Sequence, residues 1–313
     1  MHSETRKYMQ DRLYIDDIDA FVAWGVYLQD GSGRQIVQMP PMKAVDTTEW
    51  AEYDGLEADL SNPVLDARQI RLDFHLTDIT GADIFYDTLT ASVYHDFRFP
   101  RINKTYRLRL SSCGGVSLYI RHGILTLTFS EDMCVVPPAI PSAINIVPSD
   151  GYRLDNRDFA RYGCRVIEGS EAQVRRWADI RQRVKHNSRY SAGVTYDGNG
   201  AIRLKNRDLT LNLHIHTSNV GIFWQHWNAL FSSLTEAGEH SLSAFGMAFS
   251  CYYKSSSTKV FRVTDSGEIW CDFSITLCVL SYGQAEDVQT VRVLAAPDGR
   301  LLRDSSNRVI IIG

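Results

Sequence analysis

An internal repeat is the feature that most restricts what this chain can fold into. Residues 21–32 read FVAWGVYLQDGS and residues 159–170 read FARYGCRVIEGS, so Gly25 aligns with Gly163 at an offset of 138 residues. Both segments combine an aromatic–glycine pair, an alternating stretch that is typical of a strand, and an acidic–Gly–Ser turn. The repeat predicts two copies of one domain.

Three further blocks match in the same order. Tyr53-Asp54-Gly55 aligns with Tyr196-Asp197-Gly198 at an offset of 143, residues 69–76 align with 208–215 at 139, and residues 84–85 align with 222–223 at 138. Two unrelated β-domains with similar Asp–Gly turns would share the turns but not the order of the blocks. Collinear matches with nearly constant offsets therefore favour a domain duplication.

The two copies meet at a proline-rich stretch. Residues 137–148 contain four of the nine prolines, which predicts a stiff, extended linker. The repeats cover about 15–133 and 150–282. We therefore expect a first domain over residues 1–140, a second over 141–285, and a C-terminal tail over 286–313 that forms short β-strands.

Each repeat predicts an α+β, β-rich fold. Alternating stretches predict strands at 70–76, 105–110 and 123–129 in the first copy, and near 208–215, 245–253 and 270–280 in the second. One apolar stripe per copy predicts a helix packed on the strands, around Phe85 and around Trp227. The expected architecture is a tandem pair of β-barrel or β-sandwich domains, each with one flanking helix.

Two local features stand apart from the repeated plan. Residues 171–187 read as an insertion into the second copy, and the apolar stripe Val174, Trp177, Ile180 and Val184 predicts a helix there. The same segment is basic, which suits a solvated helix face or a phosphate contact. Use as an interface is a further interpretation, because Trp177 on the opposite face would have to be covered. In the first copy, Cys113-Gly114-Gly115 predicts a hairpin turn rather than a reactive thiol site.

Composition and charge exclude several classes of protein. The chain is 44% hydrophobic and 22% charged, which is ordinary for a globular protein and argues against disorder. Residues 1–140 hold 13 Lys+Arg and 20 Asp+Glu, a net −7, whereas residues 141–313 hold 20 and 17, a net +3. With −4 in total, the chain as a whole is not a strongly basic nucleic-acid-binding protein.

The sequence predicts neither a classical secretory signal nor a membrane helix. The N-terminus lacks the apolar core of a signal peptide, and the longest uncharged stretch, residues 134–149, carries four prolines and cannot form a membrane helix. The six cysteines have no metal-binding spacing. We expect reduced thiols, no membrane anchor, and synthesis in a cytoplasm.

The sequence offers few candidates for chemistry. Phosphate-binding glycine loops, nucleophile elbows and cysteine-protease motifs are absent from it. His214 and His216 alternate on a strand and could share a face toward a metal, but no third ligand can be placed, and a solvated face is the simpler interpretation. Acidic residues cluster at 16–19 and 49–59, where paired carboxylates could serve glycoside hydrolysis. We predict a protein that is not an enzyme and has no cofactor or metal.

The order of motifs resembles the N-terminal belt domain of phage distal tail proteins. In both copies, a Phe-x-x-aromatic-Gly element and an alternating strand lead to Gly-Ser, then to a loop with a lysine (Lys43 and Lys185), and then to Tyr-Asp-Gly. The resemblance covers most of residues 15–282 and extends to the family of tail-tube and baseplate-hub proteins. A distal tail protein usually has one such domain, so two in one chain are more similar to the hub and to duplicated tube proteins.

The resemblance implies a structural protein of a phage tail tip, located in the virion tail and assembled in the bacterial host cytoplasm. In the family, such domains pack side by side into rings around a central channel. This chain would accordingly form a hexamer or a trimer with pseudo-sixfold symmetry, contact other tail proteins (tube, hub and tape measure), and pass DNA only as transient cargo. The implied structural or interface residues are Trp24, Gly25, Tyr27, Trp50, Tyr53, Asp54, Gly55, Tyr162, Gly163, Trp177, Tyr196, Asp197 and Gly198.

Other interpretations of the same residues stay open. Barrel core would account equally well for Trp24 and Tyr162. Exposed Trp and Tyr side chains would also suit a carbohydrate-binding or receptor-binding tail module, and the acidic clusters would suit an acid-based hydrolase.

Overall fold

In the computed structural model, the described residues are 12–29, 31–50, 52–77, 79–119, 122–138, 147–183, 185–196 and 201–284, together with the strands at 292–293 and 311–312. They contain two seven-stranded antiparallel sheets. Sheet one belongs to the first half of the chain, residues 12–138, and sheet two belongs to the second half, residues 147–284. The structure is therefore β-rich, as the sequence predicts.

Sheet one has the strand order β2-β1-β7-β8-β9-β6-β3. Its strands are β1 (Tyr14–Ile15), β2 (Ile18–Asp19), β3 (Val26–Leu28), β6 (Arg68–Leu76), β7 (His95–Phe99), β8 (Lys104–Leu118) and β9 (Gly123–Glu131). The remaining elements of this half are helix α1 (Ala20–Trp24), a 3₁₀-helix (Ser32–Val37), the hairpin strands β4 (Thr47–Thr48) and β5 (Glu57–Ala58), helix α2 (Ile79–Ala91) and a 3₁₀-turn (Pro100–Ile102).

Sheet two has the strand order β11-β10-β16-β17-β18-β15-β12. Its strands are β10 (Arg153–Leu154), β11 (Arg157–Asp158), β12 (Cys164–Val166), β15 (Arg207–Thr217), β16 (His240–Ala244), β17 (Met247–Val263) and β18 (Ile269–Gln284). The remaining elements are a 3₁₀-helix (Phe159–Tyr162), helix α3 (Ser170–Arg175), the hairpin strands β13 (Lys185–His186) and β14 (Thr195–Tyr196), and helix α4 (Val220–Leu234).

The two sheets have the same order when their strands are numbered along each half. In both, the two edge strands are consecutive in the chain and are separated only by a short helix, α1 in the first half and Phe159–Tyr162 in the second. This connection curls each sheet toward itself. Within the described residues the edge strands are not hydrogen-bonded to each other, so each half is a curled open sheet and not the closed barrel or sandwich that the sequence suggested.

The core follows the alternation that the sequence predicts. Along β6 and β15, every second side chain is buried, because successive residues of a strand point to opposite faces. One helix packs against each sheet: Phe85 of α2 contacts Phe74 with a ring separation of 5.3 Å, and Trp227 of α4 contacts Phe273 at 4.6 Å. Both predicted helices are confirmed.

Two local predictions were wrong. The helix expected over 171–187 ends at Arg175, because Arg176 adopts an extended conformation with ψ 131°, and the segment continues as extended chain with Val184 outside the described residues. Cys113-Gly114-Gly115 is not a turn but lies inside β8. The ladder to β9 shifts register there, and Gly115 has a φ of 142°, so the glycines form a bulge.

The ends of the domains fall largely outside the described residues. Residues 139–146 of the proline-rich stretch are not described, and in the C-terminal tail only β19 (Arg292–Val293) and β20 (Ile311–Ile312) are, paired antiparallel. Across the described part of the chain, no helix combines the length and apolar character needed to span a membrane.

Candidate assembly surface

Each half extends a long arm from its sheet. Arm one is residues 38–67, between the 3₁₀-helix Ser32–Val37 and β6, and arm two is residues 176–206, between α3 and β15. Each arm has one bridge near its base and a two-stranded hairpin beyond it. The paired positions are Met42–Leu65 and Thr47–Ala58 in arm one, and Ile180–Leu204 and Lys185–Tyr196 in arm two. Because the hairpins match at an offset of 138, residues 171–187 are not an insertion.

Arm one lies on sheet two. Leu60, near the end of the arm, is 5% exposed and forms a small apolar cluster with Tyr252, Cys278 and Leu280 of β17 and β18. Four partly buried arm residues pack against the same cluster: Met42, Val45, Leu56 and Ala58. The arm of the first half therefore completes a hydrophobic core on the sheet of the second half.

Main-chain hydrogen bonds fix arm one in place. The N–H of Met42 donates to the carbonyl of Lys254 at 3.0 Å, and the N–H of Leu56 donates to the carbonyl of Leu280 at 3.1 Å. The carbonyl of Leu60 accepts from Gly238 at 2.9 Å. Such bonds satisfy backbone groups at the surface of a sheet and leave one register for the arm.

The base of arm one covers an open strand edge. Strand β16 pairs with β17 only as far as Cys251, so the rest of β17 has one unpaired edge. Met39 lies there, 1% exposed, with its N–H 2.9 Å from the Ser256 hydroxyl oxygen, and the Tyr253 hydroxyl donates to the carbonyl of Pro40 at 2.9 Å. Burial raises the pKa of Tyr253, in keeping with a hydroxyl sealed beneath the arm.

At Gly55 the backbones of the two halves approach closely. It has a φ of +71°, and a Cβ at this position would lie 1.6 Å from the carbonyl oxygen of Leu280. Only glycine adopts that conformation freely and leaves room for the facing backbone. The sequence identified Gly55 through its motif, and the structure places it where the hairpin touches β18.

Polar contacts join arm one to the base of arm two. Arg181 donates to the carbonyl of Gly55 at 2.5 Å and forms an ion pair with Glu49 at 3.0 Å. The Asp54 carboxylate accepts from the N–H of Leu204 at 2.7 Å. Asp54 and Gly55 are thus interface residues within the chain, and the basic residue Arg181 of the predicted insertion helix pairs with protein groups.

A second contact joins the halves at helix α4. The indole N–H of Trp224 donates to the carbonyl of Ile102 at 2.7 Å, and the Lys104 ammonium lies 4.3 Å from the centre of the same ring. Arg101 donates to the carbonyl of Val263. Burial lowers the pKa of Lys104. The loop between β7 and β8 is therefore held against the second half.

The repeated aromatic–glycine element is structural. In the first half, Asp19 caps α1 by accepting from the N–H groups of Phe21 and Val22, and Gly25 ends the helix in the left-handed conformation. In the second half, Asp158 caps the corresponding 3₁₀-helix and Gly163 ends it in the same way.

The aromatic residues of this element are packed into the fold. Trp24 is 7% and Tyr162 1% exposed, and the Tyr162 hydroxyl donates to Ser233 at 2.9 Å. Tyr27 is half-buried and stacks on His75 at 4.8 Å. The core interpretation holds for Trp24 and Tyr162.

The other predicted anchors lie on the arms. Trp50 is half exposed and its indole N–H donates to Glu57 at 2.9 Å, while Tyr53 is exposed in the turn of the arm-one hairpin. Trp177 and Tyr196 are exposed on arm two. Asp197 and Gly198 lie outside the described residues.

The two Tyr-Asp-Gly motifs do not occupy the same place. Tyr53 precedes β5, whereas Tyr196 is the last residue of β14. The hairpins correspond at an offset of 138 and the motifs at 143. By the hairpin register, the counterpart of Gly55 is Gly193, which also has a positive φ of 79°.

Two aspartate–histidine contacts, one in each half, are not predicted by the sequence motifs. Asp16 lies 2.5 Å from Nδ1 of the buried His95, and Asp155 lies 2.7 Å from Nδ1 of the buried His240. Each aspartate also accepts a backbone N–H, from Asp96 or Ser241. The two pairs lie at the same turn of each half. Alignment of the two repeats is therefore the sequence feature that could have predicted them.

The electrostatics of these turns favour ionised carboxylates. Partial burial raises the pKa of Asp16 and of Asp155, but hydrogen bonds from the backbone and from the histidines outweigh it, so both pKa values lie below the ordinary range. These contacts fix the sheet edge next to α1 and its counterpart.

The histidines of β15 have protein partners. His214 Nδ1 lies 2.6 Å from the Asp272 carboxylate, and the ring of His216 lies 4.1 Å from that of Trp270. Among the described residues, no group of three or more metal-ligating side chains comes together.

Comparisons with known proteins identify no family for the sequence. Neither a protein-family model nor a curated protein matches this chain. Among solved structures, it is similar to the SPP1 Dit (gp 19.1) protein, a paradigm of the hub adsorption apparatus of phages that infect Gram-positive bacteria. The match covers 85% of this chain and 97% of that chain, with 10% sequence identity and a TM-score of 0.26. At these values the likeness assigns neither a fold nor residue roles to this chain.

Proposed function

We propose that this protein is a structural component of a phage or phage-like tail tip, which forms a ring around the DNA channel and joins the tail tube to the baseplate or receptor-binding apparatus. The observation that carries the proposal is the seating of one half on the other: two sheets of equal strand order in one chain, with the arm of the first lying on the second. The sequence resemblance to tail-tube and hub proteins supplies the biological setting.

The geometry of this contact suits a ring. Arm one and sheet two are different surfaces, so the contact between the halves is head-to-tail, and repetition of such a contact closes into a ring when the rotation allows it. We infer domains over 1–140 and 141–285 and a tail over 286–313. Three chains would then supply six similar domains, and six chains would supply twelve.

Charge supports the same arrangement. The first half of the sequence carries −7 and the second +3, which favours neighbours that meet first half to second half. The net −4 also suits a channel that lets DNA pass, since a basic lining would retain the phosphates. Contacts to tube, hub and tape-measure proteins would lie on the two faces of the ring.

We expect the purified protein to form a monodisperse trimer or hexamer. Light scattering after size-exclusion chromatography gives the mass, and negative-stain electron microscopy is expected to show rings with a central hole. A stable monomer across the micromolar range would overturn the proposal. Because Trp177 and Tyr190 are 87% and 84% exposed, a monomer that bound glycans would favour the carbohydrate-binding alternative instead.

A further inference from the structure

Among the described residues, nothing covers the positions of arm two that correspond to the buried side of arm one. Applying the hairpin offset of 138, Met39 and Met42 correspond to Trp177 and Ile180, and Ala58 corresponds to Tyr196. Met39 is 1% exposed beneath sheet two, whereas Trp177 is 87% exposed; Ile180 and Tyr196 are also exposed. Three large exposed side chains on this arm, where arm one is packed against sheet two, point to a partner surface.

The glycine of the arm repeats this contrast. Gly55 and Gly193 both have positive φ angles, of 71° and 79°. A Cβ at Gly55 would collide with Leu280, whereas a Cβ at Gly193 would meet no atom within 4 Å. Gly193 therefore has the backbone conformation with which Gly55 contacts β18, but with open space in place of the facing strand.

Sheet one has the matching open edge. Strand β7 pairs with β8 only as far as Leu108. Among the described residues, the backbone of 109–118 therefore pairs with β9 alone, and residues 111–117 are all exposed. The corresponding stretch of β17 is covered by arm one, and Tyr252, Tyr253, Ser256 and Thr258 within it are buried. An uncovered edge of this length is a template for another chain.

The strand registers define which residues would meet. In sheet one, Arg109 pairs with Ser130 and Cys113 pairs with Leu127. In sheet two, Tyr252 pairs with Cys278 and Ser256 pairs with Ile275. Because Leu72 and Leu211 align in the repeat and pair with Leu127 and Ile275, these positions correspond. The apolar seat of sheet two, Tyr252, Cys278 and Leu280, is therefore represented in sheet one by Arg109, Ser130 and Asp132.

This second seat is polar. Arg109 binds the Asp132 carboxylate through two hydrogen bonds of 2.6 and 2.9 Å, and the Ser130 hydroxyl donates to it at 2.6 Å. The hydrogen bonds from Arg109 and Ser130 lower the pKa of Asp132, so the carboxylate is ionised. Ser130 is buried within the chain, whereas Arg109 and Asp132 are partly exposed, so the exposed part of this seat is an ion pair that is compatible with water before assembly.

Arm two is complementary to that surface. Two basic residues of arm two stand where arm one is uncharged: Arg183 at the position of Val45 and Lys185 at that of Thr47. The half that contains the polar seat carries the excess of acidic residues. Charge complementarity of this kind favours a first-half surface as the partner of arm two.

A second surface repeats the contact at helix α4. At the same offset, Trp224 corresponds to Tyr86 on α2, and the loop that Trp224 contacts corresponds to the loop between β16 and β17. Tyr86 is 38% exposed, and Phe245 in that loop is 44% exposed with a φ of 54°. The two surfaces that would form this second contact, Tyr86 and the β16–β17 loop, are therefore exposed as well.

We propose that Trp177, Ile180 and the β13–β14 hairpin of one chain dock on the β8 edge and the Arg109–Asp132 seat of a second copy of this chain. The contact reproduces between chains the one that arm one makes with sheet two within the chain, and Tyr86 of the second copy faces the β16–β17 loop of the first. The inference rests on the proposed ring, of which it names the interface.

The test is a disulfide between chains. Ser256 accepts the N–H of Met39 in the internal contact, so the proposed contact brings residue 177 next to the exposed Cys113 of the second copy. A Trp177→Cys variant, oxidised by copper–phenanthroline, is expected to give disulfide-linked dimers and larger species on a non-reducing gel. Wild-type protein and the double variant Trp177→Cys with Cys113→Ser are expected to stay unlinked.

A second variant tests the same surface by mass. Ile180→Asp places a carboxylate on the docking face and is expected to lower the ring fraction at least tenfold at equal concentration. Tyr190→Asp is the matched control, because Tyr190 is more exposed and its arm-one counterpart, Glu52, is also exposed. Circular dichroism melting curves of both variants should match the wild type.

The outcomes separate the two proposals. Rings in the wild type that persist in Ile180→Asp and give no Cys113-dependent link overturn the arm-two contact but leave the ring in place. A wild-type monomer without Cys113-dependent links in the Trp177→Cys variant overturns both. Equal loss of rings in Ile180→Asp and Tyr190→Asp also overturns the proposed face.

Discussion

Gly55→Ala is expected to detach arm one from sheet two, whereas Gly193→Ala is expected to leave arm one in place. Both glycines have left-handed backbones, so each alanine carries a strain of about 1–2 kcal/mol. At Gly55 the new Cβ would also lie 1.6 Å from the Leu280 carbonyl oxygen. Because this neighbour is backbone in the middle of β18, the arm has to move, and we expect a total loss of roughly 3 kcal/mol or more.

Two measurements distinguish strain from displacement. Thermal or denaturant unfolding gives the loss of stability of each variant, and limited proteolysis reports whether residues 38–67 are cleaved while the sheets stay intact. We expect early cleavage in arm one for Gly55→Ala only. Equal destabilisation of the two variants, with no new cleavage site, would show that the close approach to Leu280 does not hold the arm.

The sheets were predictable because their signal is local and periodic. Alternation along residues 70–76 and 208–215 reports a strand with one buried face, whatever lies opposite. The stripe around Trp227 reports a helix in the same way. The collinear blocks then locate two such units, since both halves place these elements in the same order.

The arms were not predictable because their burial has no period. Arm one buries Met39, Met42 and Leu60 by crossing onto a distant sheet, and which side chains are covered depends on β17 and β18, some 200 residues away in the chain. Around the start of arm two, Val174, Trp177 and Ile180 fall at helical spacing by coincidence. Only Val174 lies in a helix, and the partner of Ile180 is Leu204.

The candidate surface was found only in part for the same reason. Gly55 and Trp177 were singled out from motifs and apolar spacing, but their partners, Leu280 in the chain and the β8 edge in the proposed ring, come from sheet register. Two adjacent glycines usually mark a turn, so the sequence predicts a turn at Cys113-Gly114-Gly115. The bulge that places it within an exposed strand depends on pairing with β9.

Asp155→Asn is expected to destabilise the second half by about 1.5–3 kcal/mol, the range for hydrogen bonds to charged groups. Asparagine tolerates the left-handed backbone at this position, where φ is 49°, so the turn itself is retained. What is lost is the charge on an acceptor that binds Nδ1 of the buried His240 at 2.7 Å and the N–H of Ser241 at 2.7 Å. Thermal unfolding at neutral pH measures the loss.

Acid titration gives the decisive comparison, because the pKa of Asp155 is lowered in the folded protein. A carboxylate of this kind contributes its full stabilisation above its unfolded pKa, near 4, and loses it as the pH falls through the lower folded value. The difference in melting temperature between wild type and Asp155→Asn should therefore shrink below about pH 4. Asn156→Asp, at the exposed neighbouring turn position, should stay within about 0.5 kcal/mol of the wild type. A wild-type advantage that persisted unchanged to pH 2 would mean that the Asp155 charge does not stabilise the fold.

Asp16→Asn breaks the equivalent contact to His95 in the first half. It should show the same dependence of melting temperature on pH as Asp155→Asn, because each repeat holds its turn by the same ionised group.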